Sequence, residues 1–182
     1  MLRELSDEFR KFGKYVVQQS RSNLTKNKDN VSKQLYNSIK YELTEKDNTY
    51  SLAFIMQEYG MFLDKGVRGA DPSLVKNGKQ KGASSPFSYK SKMPPMNDIR
   101  SWAKARNIRL RDKEGKYKKG NYRTIGFILQ KRIFAQGIKP TMFFTKPFEK
   151  AIKIYTPLLQ TALGRDIDEL IRLNVELQKT KN

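Results

Sequence analysis

Any catalysis by this 182-residue chain would have to run on carboxylates, because the chain contains no histidine and no cysteine. The first absence removes the commonest general base and transition-metal ligand. The second removes thiolate nucleophiles, zinc thiolates and disulfides. Two groups of acids lie close enough in sequence to be weighed: Glu58 with Asp64, and Asp166 with Asp168 and Glu169. Metal-dependent nucleases can work with such acids alone. Glu58 and Asp64 bracket one helical turn, which reads as local capping and a surface pair. Asp166, Asp168 and Glu169 open a helical pattern, where acids favour the positive end of the dipole. The stretch NGKQKGASS lacks the Gly-Lys-Ser/Thr ending of a phosphate-binding loop and follows no clear strand. The residues therefore predict no enzyme, no catalytic residue, no cofactor and no metal. An enzyme would need a metal-dependent turnover that Asp64→Asn or Glu58→Gln abolishes.

Charge is the stronger signal. The chain carries 37 Lys+Arg against 18 Asp+Glu, a formal net charge of +19. Residues 65–123 hold 17 basic and 4 acidic residues, net +13, leaving 20 and 14, net +6, for the rest. Such an excess favours polyanionic partners: nucleic acid, an acidic protein surface or an anionic membrane. Two basic inserts, residues 67–93 and 107–122, and the short helix between them carry most of it. The candidate partner-facing or DNA-facing side chains are Lys76, Lys79, Lys81, Lys90 and Lys92 in the first. In the second they are Arg109, Arg111, Lys113, Lys116, Lys118 and Lys119. Phe87, Tyr89, Tyr117 and Tyr122 interleave with them and could stack on bases or pack on a partner. A solvated basic loop without a specific ligand is the plain alternative for any single lysine.

The elements that would position these groups follow from hydrophobic spacing. Leu5, Phe9, Phe12, Val16 and Leu24 mark one stripe of a helix over about 3–25, slightly weakened by Gly13. Leu35, with Val31, marks a short helical turn. Ile39–Leu43 and Tyr50–Met56 flank the polar residues 45–48 as a hairpin, the second strand covered on both sides. A short helix over 58–65 stops at Gly66. Residues 67–93 show no periodicity and read as a long mobile loop. A helix over about 95–106 points Ile99, Trp102, Ala103 and Arg106 to one side, with Trp102 as a core anchor. The insert 107–122 reads as a basic β-ribbon turning at Glu114-Gly115-Lys116, or as a loop. Thr124 caps the next helix, with Ile125, Ile128, Leu129 and Ile133 as its buried stripe and Gly137 at its end. Thr145 caps a helix with Pro147 in its first turn and Pro157 bending it. Its inner face comprises Phe148, Ala151, Ile152, Tyr155, Leu159 and Leu163. Gly164 separates a last amphipathic helix containing Leu177. The core anchors are Ile99, Trp102, Ile128, Phe143, Phe144 and Phe148. No internal repeat is evident.

These patterns predict an α+β fold: a small antiparallel β-sheet packed by several α-helices, with long basic loops. One domain spans 1–182, divided into an N-terminal helix (about 1–30), a core with the two inserts (31–163) and a C-terminal helix (165–182). The first 14 residues mix charges with apolar side chains and lack a secretory apolar region. No apolar run approaches the roughly 20 residues of a membrane span. The expectation is a soluble protein made in a cytoplasm.

Three blocks, in order, carry a family resemblance. The first is SKQLYNSIKYEL, followed by a strand and EYGMFLDKG, with Tyr59, Asp64 and Gly66. The second is PPMNDIRSWAKARNI, with Pro94, Pro95, Ile99 and Trp102. The third is TIGFILQKRIFAQGIKPTMFFTKPF, with Gly137, Ile138, Pro140, Phe143 and Phe144. Together they span about residues 32–150 and resemble the tail-completion proteins (neck, minor tail or head–tail connector) of tailed bacteriophages. The chain departs from the common pattern in the spacing of Asp64 and Gly66 and in its longer basic inserts. The resemblance implies a virion structural protein, an oligomeric ring joining portal or connector to tail around the DNA channel. The implied partners are other copies in a cyclic homo-oligomer, portal, connector or tail proteins, and genomic DNA in the channel, with no membrane. The implied location is the virion neck or tail, after synthesis in the bacterial cytoplasm. A non-enzymatic, sequence-nonspecific nucleic-acid-binding protein is the alternative.

Overall fold

In a computed structural model the chain is α+β and 58% helical. The structure describes residues 3–27, 33–46, 49–118 and 120–179, with side chains up to 176. In chain order the elements are α1 (Arg3–Lys26), α2 (Gln34–Ser38), β1 (Lys40–Lys46), β2 (Thr49–Ile55) and α3 (Tyr59–Lys65). There follow β3 (Val67–Arg68), α4 (Ser73–Lys76), α5 (Met96–Ala105), β4 (Leu110–Arg111) and β5 (Tyr117–Lys118). The last are α6 (Tyr122–Gln136), β6 (Gly137–Ile138) and α7 (Thr145–Lys179). Three two-stranded antiparallel sheets form among the described residues: β1–β2, β3–β6 and β4–β5. The chain divides into two compact units. Residues 34–56 join both terminal helices in one, and 57–142 make up most of the other.

In the first unit α1 and α7 lie antiparallel. Asn23, near the end of α1, donates to the Phe143 carbonyl, while the amides at its start reach Asp166. Phe12, Val16 and Ala151 form the buried centre, ringed by Leu52, Phe54, Phe144, Phe148 and Tyr155. Edge-on aromatic pairs order this layer: Phe54 with Phe144 at 5.4 Å and Phe12 with Tyr155 at 5.6 Å. Phe143 is completely buried, and Phe144 and Phe148 flank it as core residues. The hairpin pairs Lys40 with Ile55 through to Lys46 with Thr49. Its turn, 47–48, lies outside the described residues, as do Val31 and the Leu177 side chain. The hairpin is covered on one face only. Leu52 and Phe54 turn inward while Ala53 and Ile55 remain exposed, so the expectation of two covered faces is corrected.

α7 corrects two further expectations. It runs unbroken through Gly164, where a separate helix was expected to begin, and its inner line differs from the one expected. A glycine costs a helix only about 1 kcal/mol, and here Ala162 and Asp166, buried against the neighbouring layer, hold the segment helical on either side. The inner line is Phe148, Ala151, Tyr155, Leu159, Ala162 and Asp166; Ile152 and Leu163 face outward.

In the second unit α5 packs on α6, and β3 pairs with β6 (Val67 with Ile138, Arg68 with Gly137). Two glycines with positive φ make that pairing possible. A Cβ on Gly137 would lie 2.2 Å from the Val67 carbonyl oxygen, and one on Gly66 would lie 2.6 Å from that of Ile138. Ile99 is buried as expected. Trp102 is not a core anchor: it is 42% exposed, with the Arg106 guanidinium 5.6 Å from its ring centre. Ile128, 45% exposed, is also not in the core. The physical reason is Gly126, which brings the Arg100 backbone of α5 close to α6. The contact therefore runs along Ile99 and Ala103 on α5, with Ile125 and Gly126 on α6. Trp102 and Ile128 fall beside that seam. Asn121, rather than Thr124, caps α6, its side-chain oxygen accepting from the Thr124 amide at 2.8 Å.

Candidate nucleic-acid and assembly surfaces

Residues 67–93 are not a free arm. Arg68 donates its amide to the Phe87 carbonyl and accepts from the Tyr89 amide at 2.8 and 2.9 Å. The Lys81 amide reaches the Gln136 carbonyl, the Ala70 amide reaches that of Phe134, and Ser85 Oγ donates to the Gly66 carbonyl. The missing periodicity reflects these irregular backbone bonds, which serve the same satisfaction requirement as a sheet ladder without its repeat. Phe87 packs edge-on to Phe62 at 4.8 Å and Tyr89 lies 5.9 Å from Phe134. The aromatics of this insert are thus engaged within the unit. Burial pushes the Tyr89 phenol above its usual value. Lys76, Lys79, Lys81, Lys90 and Lys92 are all exposed.

Of the two readings of the second insert, ribbon or loop, the structure shows the ribbon. Leu110 pairs with Lys118 and Arg111 with Tyr117. Its turn is built by Asp112, whose side chain accepts from the Lys116 amide at 2.7 Å, with Gly115 at φ 82°. Arg109 and Arg111, two residues apart, share the face that carries Tyr117. The Arg111 guanidinium lies 4.4 Å and that of Arg109 5.6 Å from the Tyr117 ring centre. Arg111 Nη2 donates to the Tyr117 hydroxyl at 3.0 Å and Nη1 to the Gly115 carbonyl at 2.9 Å. Arg109 Nε donates to Asn107 Oδ1 at 3.2 Å. Lys113, Lys116 and Lys118 are exposed beside them, whereas Lys119 lies outside the described residues. None of the ion pairs found among the described residues involves a basic group of the ribbon. A concavity of about 330 Å³ adjoins it, with Ile108, Leu110, Tyr122 and Ile125 in its wall.

A third surface was legible only as an amphipathic pattern. The α7 residue Asp166, 3% exposed, accepts the Glu4 amide through Oδ1 at 3.1 Å and the Leu5 amide through Oδ2 at 2.9 Å. It caps α1 from 161 residues away, so its reading as an ordinary acidic helix start is corrected. Beyond this point α7 runs past the first described turn of α1. Ile167, Leu170, Ile171, Leu173 and Val175 are all exposed, Ile171 to 57%.

Asp64 is buried in α3, while Asp168 and Glu169 are exposed on α7. Among the described residues no group of three or more potential ligands could hold a metal ion, and no helix is long and apolar enough to cross a membrane. No protein-family model, no curated protein and no solved structure matches this chain.

Proposed function

We propose that this chain is a non-enzymatic structural protein that works as an assembly of identical copies. More particularly, it is a neck or tail ring protein of a tailed bacteriophage, joining portal or connector to tail. The observation that carries the assembly reading is the far end of α7, where five exposed aliphatic side chains follow one another past Asp166. Covering their remaining surface contributes roughly 1 kcal/mol each. The occupant is a second copy, and charge supports that choice. Residues 163–179 hold three basic and four acidic residues, net −1, in a chain of net +19. Copies meeting there avoid the repulsion that contact between their basic regions would bring. The phage assignment rests on the resemblance of the three sequence blocks.

The test is the native mass of the purified protein across concentration. Wild type should form a discrete closed oligomer, and Leu170→Glu with Ile171→Glu should dissociate it while leaving helix content unchanged. A wild type that stays monomeric at every concentration, alone and with capsid or tail components, would overturn the reading.

A further inference from the structure

We infer that the β4–β5 ribbon is a binding element for the phosphodiester backbone of duplex DNA, with Arg109 and Arg111, braced on Tyr117, as its paired phosphate contacts. The inference rests on the ring reading only for which polyanion is at hand; the chemistry belongs to the ribbon itself.

Pre-organisation is the first reason. A long arginine side chain ordinarily loses conformational freedom when it docks. Here Arg111 is already held at three points: the Gly115 carbonyl, the Tyr117 hydroxyl and the Tyr117 ring. Arg109 is held at Asn107 and against the same ring. A guanidinium has five N–H donors. Arg111 uses two in these bonds and Arg109 one, so both retain donors for an incoming oxygen.

The second reason is uncompensated charge. Residues 107–118 carry five basic and two acidic groups, net +3. Of the two acids, Asp112 is engaged by the turn amide of Lys116.

The third is geometry. The Arg111 and Arg109 guanidiniums lie 4.4 and 5.6 Å from the centre of one exposed ring, so their free donors are offered side by side to neighbouring oxygens. A two-stranded ribbon is also an element that the major groove admits.

The apolar side chains of the adjoining concavity are drawn in, Ile108 and Leu110 half-buried and Ile125 buried, so they offer little of the exposed apolar centre of a protein interface. Tyr117, 64% exposed, is the one large hydrophobic side chain that stands out, and both guanidiniums crowd it. An acidic protein partner is therefore disfavoured. With both arginines assigned to phosphates, which carry no sequence information directly, binding should be independent of sequence.

The experiment is fluorescence anisotropy of the full chain with a labelled mixed-sequence duplex, between about 50 and about 200 mM salt. Wild type should bind with a steep negative salt slope. Arg109→Gln with Arg111→Gln should reduce that slope by about two, one per phosphate contact. Lys90→Gln with Lys92→Gln, equal in charge change but outside the ribbon, should reduce it by less. Arg111→Lys keeps the charge but loses the fork, and should weaken affinity while keeping the slope. Native mass is recorded for every variant. Lost DNA binding with an unchanged oligomer supports the inference by itself. An intact oligomer whose DNA binding is absent, or is equally reduced by both double substitutions, overturns it and leaves the ring reading standing. Polyglutamate displacing duplex DNA at equal charge would also overturn it, in favour of an acidic protein partner.

Discussion

Replacing Asp166 by alanine should destabilise the unit that contains both terminal helices by about 3 kcal/mol. The side chain accepts two amides of the first turn of α1, at 2.9 and 3.1 Å, and is 3% exposed. The Leu5 amide is buried at this bond, and a buried donor left without an acceptor costs about 1–3 kcal/mol. The Glu4 amide is partly buried, so water recovers some of its bond. The carboxylate also faces the positive end of α1, an interaction reaching about 2 kcal/mol in partly buried geometry. About half of each maximum is about 1.5 and about 1 kcal/mol; with about 0.5 kcal/mol for the partly hydrated Glu4 amide the sum is about 3 kcal/mol, which corresponds to a fall in Tm of about 6–12 °C for a chain of this size. Asp166→Asn keeps one oxygen and should cost about half as much. Asp168→Ala, exposed two residues along, should change stability by less than about 0.5 kcal/mol. The neighbouring Arg165–Glu4 pair is exposed, so Arg165→Ala should also have little effect. Urea unfolding followed by circular dichroism measures all four, and amide exchange at Glu4 and Leu5 localises the loss. Equal stability of Asp166→Ala and Asp168→Ala would refute the long-range cap.

Gly13→Ala should destabilise the protein by about 1–3 kcal/mol, although the same change in an open helix gains about 0.5–1 kcal/mol. The added Cβ would lie 2.5 Å from Tyr41 Cδ2 and 2.6 Å from Cγ; a higher Tm, or no recovery in combination with Tyr41→Ala, would count against this packing. Tyr89→Phe should delay alkaline unfolding. Burial raises the folded pKa above the ordinary 10.0, so the folded chain retains this proton after the unfolded chain has released it. That contribution is whole below the ordinary value and is lost as pH rises through the folded one; identical alkaline profiles for wild type and variant would exclude it.

Much of the local structure could be read from spacing alone. Leu5, Phe12, Val16 and Leu24 specified α1, because a helix with one buried face must repeat its apolar residues near every 3.6 positions. The alternation of Leu52 and Phe54 specified β2, and Gly66 and Gly137 marked the ends of α3 and α6. The basic ribbon was one of two readings of residues 107–122, the other a plain loop, and the strand pairing decides for the ribbon. The tertiary structure decided what period cannot encode, namely which neighbour a face meets. It placed Trp102 and Ile128 outside the α5–α6 seam, because Gly126 sets where those helices touch. It fastened residues 67–93 through backbone bonds, which leave little trace in side-chain pattern. It carried α7 through Gly164, and it turned Asp166 from a local helix acid into the cap of a distant one. Local sequence fixes the repeat of each element, whereas caps, seams and stacked guanidiniums depend on groups distant in the chain becoming neighbours in space.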